Sequence, residues 1–180
     1  MGLLDICETD LATRVQYVTL VAHMARIDGQ LVGSEQRLLA EITEKFCIPK
    51  HMQVGIYVET QFEEDDISAI FLNLKNAGLQ HSFILDLIAM ALVDGVILDS
   101  EQMMLAQISG LIGLSNDEFY NLVNFSQATS ALDVNTRIDP MYQYVIDAFF
   151  EWVKTKNIRL FKQTSLSVKE SVDQFLKKDL

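Results

Sequence analysis

The sequence predicts an all-α protein, a bundle of two similar helix–loop–helix units with further helices on the C-terminal side. Three observations carry that prediction. The chain repeats itself: Met24-Ala25-Arg26-Ile27-Asp28-Gly29-Gln30-Leu31-Val32-Gly33-Ser34-Glu35-Gln36 returns sixty-six positions later as Met90-Ala91-Leu92-Val93-Asp94-Gly95-Val96-Ile97-Leu98-Asp99-Ser100-Glu101-Gln102. The register then holds, with Leu39 matching Leu105, Ala40 matching Ala106 and Ile42 matching Ile108. Two copies at a fixed offset imply two similar units packed about a pseudo-twofold axis. Next, apolar residues recur at three- and four-residue steps, and no alternating strand pattern is present. Finally, 49% of the 180 residues are apolar and only two are proline, so a helix-permissive core is expected, burying roughly 70% of the unfolded chain's surface.

Each helix has its own start, stripe and stop. Leu11, Val15, Val18, Ala22 and Ala25 form one face of the first, which ends at Asp28-Gly29. Glycine there can take the left-handed conformation that reverses a chain, so positive φ is predicted at Gly29 and at its counterpart Gly95. A second helix starts near Ser34 and packs Leu38, Leu39, Ile42 and Phe46, and Pro49 opens a short third with Met52 and Ile56. The run Glu63-Glu64-Asp65-Asp66 suits the first turn of a fourth, where carboxylates favour the helix dipole. Its stripe is Ile67, Ile70, Phe71 and Leu74, closed by Gly78.

The second copy follows. Ile84, Leu87, Ile88 and Ala91 precede Asp94-Gly95, and Leu105, Ile108, Leu111 and Ile112 run up to Gly113. Ser115-Asn116-Asp117-Glu118 reads as a capping box, in which serine and glutamate each satisfy a free N–H of the next helix. Residues 126–138 are polar and read as a connection. Pro140 opens a helix with the stripe Tyr142, Val145, Ile146, Phe149, Phe150 and Val153. A last helix is predicted from Ser167, boxed by Glu170, with Val168, Val172, Phe175 and Leu176 on one face. That makes eight or nine helices, divided into residues 1–132 and an extension over residues 133–180 that packs on them.

Composition narrows the function. Residues 1–150 carry 21 acidic against 7 basic side chains, residues 151–180 carry 4 against 7, and the whole chain stands at −11. A body this acidic repels phosphate backbones, which argues against nucleic acid as a partner. The longest apolar stretch, Phe83 to Leu98, is cut by Asp86 and Asp94 and reads as a buried helix, not a membrane segment. The N-terminus lacks the basic start and apolar run of a signal peptide, so a cytoplasmic protein is expected. Cys7 and Cys47 show no metal or redox spacing and are expected to be reduced, small apolar residues.

The repeated loop is the one constellation with metal-like chemistry. Each copy sets an Asp at a helix end, a Gly after it and a Glu seven residues beyond the Asp, so Asp28, Glu35, Asp94 and Glu101 are the candidate ligands for a divalent cation. The spacing does not fit an EF-hand, since Leu31, Val32, Ile97 and Leu98 stand between the acids. The structural reading is preferred: Asp accepts loop N–H bonds, Gly reverses the chain, Leu31 or Ile97 plugs the core, and Glu caps the next helix. His23 falls on the polar side of its helix, and His51 and His81 have no carboxylate or cysteine at ligand spacing. Glu-x-x-His pairs, phosphate-binding glycine loops and GxSxG elbows are all absent, so no enzyme is expected and no cofactor is required.

The repeated element resembles the signature of the tellurite-resistance TerB-like family, which includes the N-terminal domain of DjlA-type co-chaperones. Asp28-Gly29-Gln30-Leu31 with Glu35 matches one copy of that unit. Asp94-Gly95-Val96-Ile97 with Glu101, followed by Ile112-Gly113-Leu114-Ser115, matches the other, and the resemblance spans roughly residues 11–125. Val32 and Leu98 stand where the family usually has a Ser, Thr or Asp cap, and Val96 replaces a polar residue. These departures remove candidate oxygen ligands.

The resemblance implies a TerB-like helical bundle acting as a non-enzymatic interaction module in a tellurite, stress-response or envelope-associated complex. The alternative is a divalent-cation sensor. Trp152 with Lys154, Lys156 and Arg159 is the candidate contact region, an aromatic anchor with a basic rim facing an acidic protein or a second copy of the chain. The competing reading is that Trp152 only seals the bundle.

Overall fold

In a computed structural model, described here over residues 2–26, 31, 33–57, 62–130 and 140–161, the chain is a helical bundle. Eight α-helices are present among the described residues: α1 Leu11–Met24, α2 Gly33–Lys45, α3 Lys50–Tyr57, α4 Glu64–Asn76, α5 Gln80–Ala91, α6 Asp99–Leu111, α7 Asn116–Ser130 and α8 Pro140–Thr155. Asp28, Gly29 and the helix expected from Ser167 lie outside the described residues. Among the described residues, the additions to the expected helices are a single 3-10 turn, Ile6–Glu8, and a pair of three-residue strands. β1 (Gly2–Leu4) runs parallel to β2 (Arg159–Phe161), so the segment after α8 is stitched to the start of the chain.

The repeat is reproduced element by element. α2 and α6 begin at Gly33 and Asp99 and end at Lys45 and Leu111, and α3 and α7 begin at Lys50 and Asn116, each pair sixty-six residues apart. α1 packs on α2 and α3 as α5 packs on α6 and α7, and α1 lies against α5, so the two units meet through their first helices. Even the chain reversal after the second helix recurs in register: Cys47 has φ +49° and Gly113 has φ +94°. Gly95 takes φ +96°, as its turn requires.

Two aromatic clusters form the interior. Tyr17 lies between Phe46, Phe83 and Phe161, at centroid distances of 4.6, 5.5 and 5.7 Å, which joins α1, the residue just after α2, α5 and β2. Phe125 stacks on Phe149 at 3.8 Å and meets Phe150 edge-on, which fixes α8 to α7. Such pairs add about 0.5–1.5 kcal/mol each beyond the area they bury. The expected polar connection starts late, because α7 continues through Ser126–Ser130. Thr129 is buried there, its hydroxyl donating to the carbonyls of Phe125 and Ser126 at 3.0 Å, so the helix itself satisfies the polar group.

Cys47 corrects an expectation. Its thiol is free and exposed, because the residue occupies the left-handed reversal and not a core position. Nor is His23 simply solvated: it is half-buried, with its ring edge-on to Phe62 at 5.1 Å.

Candidate functional site

The start of α2 meets the loop of the second repeat. Ser34, at the start of α2, donates its hydroxyl to Asp94 Oδ1 at 2.8 Å across the pseudo-twofold. Glu35 and Glu101 line one small cavity of about 30 Å³, whose other walls include Met24, Leu87, Met90 and Leu105. Three of the four candidate carboxylates are thus gathered at one end of the α1–α5 contact, while Asp28 lies outside the described residues. Their oxygens are engaged in the fold. Glu101 Oε2 accepts the Leu98 N–H at 2.7 Å, as the capping reading expects. Asp94 takes its bond from the other repeat's serine and not from its own loop. Leu31 and Ile97 pack against the core as plugs. Among the described residues no three acids, histidines or cysteines are grouped so as to hold a metal ion. Methionine and leucine walls around about 30 Å³ do not fit a hard cation, which takes six or more oxygen ligands.

Sequence reading missed a second polar cluster. His81, in the first turn of α5, is buried and lies 3.3 Å through Nε2 from Glu118 Oε1 on α7. Burial holds its pKa below the ordinary value, against the pull of Glu118. Burial works against the charge of Glu118 as well. The Ser115 N–H and hydroxyl, both donating to Oε2 at 2.8 Å, outweigh it together with His81, and the carboxyl lies below its usual value. The expected capping box is therefore in place, and it also orients a partner for histidine. Thirty-seven residues separate the two, so no spacing motif announces them. The available signal is the repeat itself, because the same two positions in the first copy are Val15 and Met52.

Trp152 sits half-buried over this cluster, its ring centroid 6.0 Å from His81 and 5.6 Å from Phe149. It lies against His81 of α5 and remains partly accessible. Lys154, Lys156 and Arg159 are exposed around the end of α8. Deeper in the core, Tyr17 donates to Asp86 Oδ2 at 2.6 Å, both residues being fully buried. Burial, and then the Asp86 charge, push the phenol well above its usual pKa. The bond ties α1 to α5 and offers nothing to a substrate.

An apolar groove of about 760 Å³ lies between α4 and α6, floored in part by Met24. Ile67, Phe71 and Leu72 line one wall and Met104, Ile108 and Leu111 the other. Leu72 and Leu111 are 57% and 73% exposed at its rim, and Val96 and Leu98 before α6 and Met103 on it are exposed as well. In the first repeat the positions equivalent to Met103, Gln107 and Leu111 are Arg37, Glu41 and Lys45. One pseudo-equivalent face is charged and the other is apolar. A position-by-position comparison of the two copies would have exposed that contrast in the sequence.

Among the described residues no helix is long and apolar enough to cross a membrane. The family model described as tellurite resistance protein TerB matches residues 14–124, which covers both loops and ends inside α7. No curated protein matches the chain, and no solved structure does.

Proposed function

Because the chain belongs to the TerB family of tellurite-resistance proteins, we propose that it works as a non-enzymatic interaction module within a cytoplasmic tellurite, stress-response or envelope-associated complex. One observation carries the reading: α6 and α4 expose apolar side chains around a groove where the pseudo-equivalent face on α2 is charged. Exposed apolar patches of this kind, rimmed by polar residues, mark contact surfaces. The pairs Tyr17–Asp86 and His81–Glu118 each join two helices of the bundle. The basic edge formed by Lys154, Lys156 and Arg159 beside Trp152 supplies a second contact of opposite sign to the body, suited to an acidic partner or to another copy of the chain.

Affinity capture from the source cell, with cross-linking, tests this. Leu72→Asp and Leu111→Asp should remove a partner that the wild type and the charged-face variant Glu41→Lys both retain. Equal capture by all three would overturn the reading. The alternative, a divalent-cation sensor, draws on Glu35 and Glu101 facing one cavity, and predicts that a cation stabilises the protein.

A further inference from the structure

The outer stripe of α4 is self-complementary. Asp65, Ser68, Leu72 and Lys75 fall at i, i+3, i+7 and i+10, which sets them along one face of the helix, and all four are exposed. The steps of three, four and three read the same in either direction. An identical helix laid antiparallel therefore meets the stripe position for position, with Asp65 opposite Lys75 and Ser68 opposite Leu72, and each pairing occurs twice. Opposite charges meet at the ends, about 15 Å apart along the axis, and leucine meets a small residue between them. Neither Asp65 nor Lys75 has an ion-pair partner among the described residues, whereas Asp66 accepts the Glu63 N–H in capping the helix.

The groove gives such a pairing apolar surface to bury. Ser68, Leu72 and Lys75 belong to its α4 wall, and Lys75 is the one charged side chain among the residues that line it. An occupant matched to the groove is therefore apolar along its length and acidic at the Lys75 end. The stripe of α4 itself, reversed, meets that description through Leu72 and Asp65.

We propose that a second copy of this chain covers the groove, in an isologous contact where the two α4 helices run antiparallel and Leu72 of each seats over Ser68 of the other. Exposed Leu111 on the opposite wall is covered by the same contact. The proposal rests on reading the groove as a docking surface and names what fills it, so a foreign partner competes with self-association.

Sedimentation velocity on the full chain, over a range of concentrations, tests this. The wild type should dimerise reversibly, and Leu72→Asp should stay monomeric where the wild type is mostly dimeric. Asp65→Lys and Lys75→Glu should each weaken the dimer about tenfold, because each turns two attractions into two repulsions. An equimolar mixture of those two variants should regain the wild-type affinity, since their heterodimer sets opposite charges together at both ends. A misfolded variant would not be rescued by mixing. Glu41→Lys on α2 shifts the net charge as Asp65→Lys does, and should leave the dimer unchanged. A wild type that is monomeric throughout, a mixture no tighter than its components, or a dimer that Leu72→Asp leaves intact overturns the proposal. If the wild type is monomeric while Leu72→Asp still loses its captured partner, only the second copy is refuted and the docking reading stands.

Discussion

The first repeat carries Arg37, Glu41 and Lys45 along α2, whereas the second carries Met103, Gln107 and Leu111 at the same places on α6. At their mutual contact the first supplies Tyr17 and the second Phe83, ring against ring at 5.5 Å. At the outer junction the first has Val15 and Met52 and the second has His81 and Glu118. Both ends of α2 and α6, the starts of α3 and α7, and one positive-φ reversal are held constant between the copies. Backbone register is thus set by apolar spacing and turn residues, which both copies keep. Surface and buried polar positions are not held by that spacing, and they differ between the copies. The first unit presents charged residues along α2, and the second has a groove wall on α6 and the His81–Glu118 contact.

The largest effect should come from forcing the copies to match in the core. Tyr17→Phe removes the hydroxyl that Asp86 accepts from at full burial, and should cost about 2 kcal/mol, in the range for hydrogen bonds to charged groups. The reciprocal Phe83→Tyr places a phenol oxygen in a fully buried site and should cost about 1–3 kcal/mol. Urea melts of both variants check this, and a neutral result for either would mean that the site repacks around water. The raised pKa of Tyr17 adds a sign: stability is kept below the usual tyrosine value and is lost as pH rises through it, and Tyr17→Phe should flatten that alkaline limb.

Smaller effects of opposite sign are expected at the matched reversal. Gly113→Ala must adopt φ +94° with its Cβ 2.8 Å from Lys75 Nζ, a flexible side-chain end that can move away. Strain then dominates, at about 1 kcal/mol. Cys47→Gly relieves the same conformation in the first copy and should stabilise by about 0.5 kcal/mol, after the extra chain entropy of glycine is counted. Thermal melts moving in the same direction would break the equivalence of the two turns.

Acid should separate the repeats in a graded way. His81 is held below its ordinary pKa of 6.5, so the fold keeps its full contribution above that value and loses it as pH falls toward the folded value. Glu118 lies below its ordinary 4.5, so a further loss follows as pH falls through its own folded value. Amide exchange should therefore open α5 and α7 before α1 and α3, whose corresponding positions are Val15 and Met52. His81→Gln should remove the first of the two losses. Uniform opening of both units would assign acid sensitivity to the overall charge.

Much of this was legible from the residues. The sixty-six-residue offset located α2 and α6, and Gly78, Gly95 and Gly113 marked helix ends correctly, because turn chemistry and apolar spacing act locally. The Ser115–Glu118 box was legible for the same reason. Pairings across the fold were not, since neither Tyr17–Asp86 nor His81–Glu118 has a local spacing that reports it. The β1–β2 pairing escaped because three-residue strands are too short to show an alternation. The groove escaped because Leu111 belongs to an apolar stripe in the sequence, and only the packing of α4 and α6 leaves its side chain facing outward.

The smallest effect concerns the loops that first identified the repeat. Ser34 and Asp94 join the two copies through one exposed bond of 2.8 Å, and neutral or charge-assisted bonds at exposed sites contribute little net stability. Asp94→Ala should cost under about 1 kcal/mol, and Ser34→Ala about the same, with no further loss when both are combined, because a single contact is removed. Glu35→Gln should be milder still, since an amide oxygen also accepts a hydrogen bond. Calcium, magnesium or manganese in excess should leave the melting temperature where it was, in the wild type as in these variants. A cation-dependent rise in the wild type that Glu35→Gln and Asp94→Ala each abolish would show that the paired loops hold an ion. The contrast between the copies would then matter less than their shared acids, since a bound cation stabilises by mass action far more than one bridging hydroxyl does.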